Sequence, residues 1–112
     1  MGLQQALEQF EFNSSGKGFL RIDPELNRWI RSTGLRQGVL HLSALHTSCS
    51  LTINENADPR VLDDLAAWME AVVPQVAHGA LDGSESLRRY RHDDEGPDDM
   101  PAHIRSALTS QT

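Results

Sequence analysis

Between Gly38 and Pro74 the order of apolar and polar residues changes period, and that change predicts the elements the rest of the chain serves. Leu40, Leu42, Ala44 and His46 alternate with their neighbours, so they share one face of an extended segment whose far end carries an imidazole. A second short run, Ser50 to Ile53, leads into the polar stretch Asn54-Glu55-Asn56-Ala57-Asp58-Pro59. Asp58 followed by Pro59 reads as a helix cap with proline at the first helical position, where its missing donor costs nothing. Val61, Leu62, Leu65, Trp68, Met69 and Val72 then recur at helical spacing as a single apolar stripe until Pro74 ends it.

The flanks repeat these devices. Leu3 to Phe12, with Phe10 and Phe12 on one face, is followed by the loop Asn13 to Gly18 and by Phe19 to Ile22, the pattern of an N-terminal antiparallel hairpin. Asp23-Pro24 opens a short helix whose apolar side is Leu26, Trp29 and Ile30, and Gly34 closes it. Gln75 to Leu87 has no clear period and reads as loop. The acidic turn from Asp93 to Asp99 leads into a short helix over Pro101 to Leu108, with Asp99 as its cap. The predicted architecture is one α+β domain over residues 1–112: a mainly antiparallel mixed sheet with two or three helices packed on it.

Composition narrows the function classes. At 112 residues, with 38% hydrophobic and 23% charged residues, the chain has the make-up of an ordinary globular domain with a modest core. A net charge of -6 argues against nucleic acid as a partner, because phosphate backbones are held by accumulated Lys and Arg. The local basic cluster Arg88, Arg89 and Arg91 around Tyr90 reads as a solvated face balancing the acids that follow. One cysteine, Cys49, allows no internal disulfide, and no apolar run is long enough to span a membrane. A cytoplasmic setting is the expectation.

Three of the five histidines bear on chemistry. His46 ends the core face of the central strand, His92 precedes the acidic turn, and His103 sits in the helix beyond it. Neutral imidazoles suit zinc and related ions, and a catalytic site commonly uses three protein ligands with one open position. Spacing leaves these residues open to a structural, hydrogen-bonded role as well. Asn54, Glu55 and Asn56 can orient a ligand, with Glu55 as general base, or simply satisfy backbone groups at the turn. Thr47 and Ser48 can bind a phosphate through their hydroxyls or bond to neighbouring backbone. Asp98 and Asp99 can hold an imidazole tautomer, contact a cation-bound phosphate, or cap the helix.

The run His46 to Pro59, H-T-S-C-S-L-T-I-N-E-N-A-D-P, resembles a signature of the YjbQ family, also described as the secondary thiamine-phosphate synthase family. The run Tyr90 to Leu108, Y-R-H-D-D-E-G-P-D-D-M-P-A-H-I-R-S-A-L, resembles that family's second signature, in the same order and at compatible spacing. The resemblance implies a divalent metal, zinc rather than magnesium, on His46, His92 and His103. It implies catalytic roles for Glu55, Asn54 and Asn56, and contacts from Thr47, Ser48 and Asp99 to a small phosphorylated substrate. It further implies a homotrimer and thiamine-phosphate-synthase-like transfer; the alternative is a metal- or ligand-binding oligomeric module without catalysis. Family members usually have a small residue where Cys49 stands, which suits a packing role for the thiol. They also continue beyond the second signature with more strands, so a C-terminally shortened domain is expected here.

Overall fold

Pro24, Pro59 and Pro101 each stand in or beside the first turn of a helix, where a residue without an N–H costs nothing. In a computed structural model of the chain, which describes residues 2–55, 57–79, 83 and 86–110, the elements follow in the order α1 (Asp23–Thr33), α2 (Arg60–Val72), β1 (Ala77–His78), β2 (Arg88–Arg89) and α3 (Asp99–Thr109). The chain divides into two units, Met1–Leu42 and Ser43–Thr112.

In the first unit Leu26, on the apolar side of α1, is buried. Phe10 stacks on Phe12 with ring centroids 6.1 Å apart and meets Trp29 edge-on at 5.8 Å, so the alternation of the two phenylalanines does present them on one face. Helix α1 stops at Gly34, whose φ of 75° lets its N–H return to the Arg31 carbonyl. At the other end Asp23 is not the cap. Arg21 takes both carboxylate oxygens, at 3.0 and 2.7 Å, and Ile22 precedes the first helical residue.

In the second unit the stripe on α2 is real: Leu62, Leu65, Met69 and Val72 are half-buried, while Trp68 at the stripe's margin remains exposed. Asp58 accepts the Arg60 N–H at 3.0 Å and so retains a capping role from two residues before the first helical residue, with Pro59 in the cap position itself. The stretch read as loop, Gln75 to Leu87, contains β1, and β2 follows it directly; the two form an antiparallel pair in the register Ala77 with Arg89 and His78 with Arg88. Two-residue strands carry too little alternation to register as a period.

Among the described residues three helices and one small antiparallel sheet make an α+β arrangement. Among the described residues the sheet is smaller than expected: Leu3 to Phe12, Phe19 to Ile22 and Leu40 to His46 are in no strand ladder. Alternation prepares a segment for one face of a sheet, but a ladder also needs a neighbour for its N–H and C=O groups. No helix among these residues is long and apolar enough to cross a membrane.

Candidate metal centre

Helix α3 opens on Asp99, and His103 follows one turn later on the same face. Asp99 Oδ2 lies 3.2 Å from His103 Nε2. The acidic turn, bent at Gly96 with a φ of 101°, carries the chain from His92 back to the start of α3. This puts His92 Nε2 2.7 Å from the same Asp99 oxygen. The two imidazole rings meet edge to face, centroids 5.7 Å apart at 65°. One possible ligand atom from each of His92, Asp99 and His103 falls within 4.8 Å of the other two. Two more carboxylates face His92: Glu95 at 3.3 Å from Nε2 and Asp94 at 3.8 Å from Nδ1.

These charges act on one another. The Asp99 hydrogen bond raises the His92 pKa above its ordinary value; burial opposes it, and the nearby carboxylates of Glu95, Asp99 and Asp94 add to the rise. The hydrogen bond with His92 in turn holds the Asp99 carboxyl below the usual carboxylate range, helped by Glu95 and by the charge of His103. All three side chains are reachable from solvent, with exposures of 43% for His92, 33% for His103 and 23% for Asp99.

The donor set fits a divalent transition metal. Two imidazole nitrogens and a carboxylate oxygen are the donors that suit zinc and its neighbours, and three of them leave a coordination position open. Bonds of about 2.0–2.1 Å in a tetrahedron place ligand atoms roughly 3.3 Å apart, against the observed 2.7 and 3.2 Å.

His46 is outside the group formed by His92, Asp99 and His103; its Nδ1 accepts the Ser48 N–H at 3.1 Å and meets Ser48 Oγ at 2.9 Å. A neutral ring in that state carries its proton on Nε2. Thr47 is exposed in a turn, Ser48 is half-buried, and Asn54 and Glu55 are exposed, with Asn54 Nδ2 donating to the Glu55 carbonyl at 3.3 Å. Asn56 lies outside the described residues. The segment after His46 is nonetheless tied to α3: Ser106 Oγ donates to the Cys49 carbonyl at 2.9 Å, and the hydroxyls of Ser50 and Thr109 are bonded. Asp99, His103 and Ser106 fall at i, i+4 and i+7, so this contact uses the helix stripe that carries the candidate ligands Asp99 and His103. Glu95 and Asp94 were not singled out as site residues from sequence; the available signal was Glu95 three positions after His92.

A family model described as UPF0047 protein YjbQ-like matches residues 8–112. The chain belongs to the YjbQ-like UPF0047 family. This YjbQ-like chain is 45% identical over 96 residues to UPF0047 protein sll1880 of Synechocystis sp., a match covering 86% of the chain and 58% of that relative. It is 38% identical over 97 residues to UPF0047 protein YjbQ of Escherichia coli O157:H7, covering 86% of the chain and 62% of the relative. The YjbQ-like chain thus spans about three fifths of the length of these two relatives. No solved structure matches it significantly.

Proposed function

We propose that this chain is part of a metal-dependent enzyme of the YjbQ family that acts on a small phosphorylated substrate, with thiamine-phosphate-synthase-like transfer as its reaction. The observation that carries this reading is the convergence of His92, Asp99 and His103 on one point. Zinc is favoured over magnesium because imidazole donors suit the former and magnesium prefers oxygen ligands. When bound, the cation supplies charge stabilisation for a departing diphosphate.

The chain's own residues divide the remaining work. Asp99 orients both imidazoles and fixes which nitrogen of His92 faces the site. His46 enters the ligand set when its contact with Ser48 opens and its proton moves to Nδ1; until then its Nε2–H is a donor suited to a phosphate oxygen. Thr47 and Ser48 add hydroxyls beside it. Glu55 serves as general base, with Asn54 and Asn56 orienting the substrate. In this reading the extended segments join a larger, mainly antiparallel mixed sheet with helices packed on it, in a homotrimer that covers the sheet's free edges. The setting is cytoplasmic.

Metal analysis of the purified protein and a turnover assay with a thiazole phosphate and a pyrimidine diphosphate test the proposal. Bound zinc that His103→Ala removes, together with turnover that falls alongside it, is the expected result. Stoichiometric metal without turnover on either substrate points to the non-catalytic module. No metal, and turnover unaffected by His103→Ala, defeats the site assignment.

A further inference from the structure

The ligands of the proposed centre are reachable from solvent, come from the loop after β2 and from α3, and sit among five acids between Asp93 and Asp99 that repel one another. Something must hold them in register before any cation arrives. The three consecutive residues that leave α2, Val73, Pro74 and Gln75, each bind a side chain next to one ligand. Tyr90, two residues before His92, donates its hydroxyl to the Pro74 carbonyl at 2.6 Å. Arg105, two residues after His103, donates from Nη2 to the Val73 carbonyl at 3.0 Å. Asp98, the residue before Asp99, accepts from Gln75 Nε2 at 2.7 Å.

The geometry points to the Val73-Pro74-Gln75 turn as the template that sets the separation of His92, Asp99 and His103, with Tyr90, Arg105 and Asp98 as positioning residues. The turn is suited to this because Val73, 1% exposed, is one of the two buried core residues among those described, and a buried backbone moves least. The Tyr90 N–H also donates to the Val76 carbonyl at 3.2 Å, and its ring stacks on His78 at 5.6 Å, so the residue that follows β2 is held by its backbone, its ring and its hydroxyl. None of the three ties ends on a ligand atom. Each acts through one or two residues of backbone, and a metal site tolerates only about 0.5 Å of misplacement. The inference rests on the proposed centre for its consequence, cation affinity, but the template itself is a property of the metal-free fold.

The test uses the full chain and the variants Tyr90→Phe, Gln75→Ala and their combination, with Leu62→Ala, on the α2 stripe, as a destabilised control that keeps all three ties. The probes are cobalt(II) titration followed by the visible spectrum, and ring-to-ring nuclear Overhauser contacts between His92 and His103 in metal-free protein. The expected result is loss of the ring contact and an affinity fall of about tenfold or more with altered bands in the combined variant, while Leu62→Ala keeps both signals despite a lower melting temperature. Ring contacts that persist in the combined variant overturn the template. A parent protein that takes up no cobalt removes the metal reading alone, because the ring contacts of the metal-free variants still decide the template.

Discussion

Replacing Arg105 by methionine should destabilise the protein far less than its contacts suggest. The charge-assisted bond to the buried Val73 carbonyl contributes about 1.5–3 kcal/mol. The ion pair with Glu70, 3.3 Å long to a carboxylate that is 42% exposed, is screened and adds roughly 0–1 kcal/mol. Against these, Arg105 Nε is buried with no partner, a desolvation penalty of about 1–3 kcal/mol that disappears with the guanidinium. Methionine keeps most of the aliphatic packing of a side chain only 18% exposed. The net loss is roughly 1 kcal/mol. Urea unfolding of parent and variant at equal m-value reads it directly, and added salt should change the difference little. A loss well above about 3 kcal/mol would refute the reasoning by showing that relief of the buried Nε does not offset the lost contacts.

Other outcomes follow from the same geometry. The His92 pKa is raised above 6.5, so its contribution to stability is complete below that value and lost as pH rises through the raised one. The Asp99 pKa is lowered below 3.8, so its contribution is present above that value and lost as pH falls through the lowered one. Metal-free protein should therefore gain most from this pair in mildly acidic solution, and thermal unfolding of Asp99→Asn should lose the pH dependence on both sides. Cation affinity should run the other way and rise with pH through the raised His92 value, because protons compete for that nitrogen; an isothermal titration series that is flat with pH would contradict it. His103→Ala should weaken zinc binding by more than about a hundredfold in a chelator competition, beyond the usual effect of an outer partner. Gly34→Ala should cost about 1–2 kcal/mol in denaturant unfolding through backbone strain alone, since a Cβ there meets nothing within 4 Å.

The helices were legible because their signals are local. Leu62, Leu65, Met69 and Val72 repeat within one element, and Pro24, Pro74 and Gly34 mark starts and stops by their own covalent geometry. Asp23 misled because a nearby guanidinium, Arg21, competes for the carboxylate a cap would use, and no helix rule registers that competition. Two of the three residues of the candidate centre were equally local: Asp99 and His103 are one helical turn apart. The approach of His92 depends on the bend at Gly96 and on ties from Pro74 and Gln75, which lie 18 and 17 residues away in the chain and leave no periodic trace. The resemblance puts His46 among the ligands; its Nδ1 accepts the Ser48 N–H, a contact two residues long that a signature does not encode.

The crowding of carboxylates around His92 has a kinetic meaning for the proposed enzyme. Asp94, Glu95 and Asp99 surround one imidazole, so the vacant cluster attracts cations and turns away any molecule bearing a phosphate. Loading must then be ordered: the ion arrives first and reverses the local sign, and only afterwards does an anionic reactant find a favourable potential. Rate profiles at low ion concentration would accordingly look like weak substrate affinity, although the defect lies one step earlier.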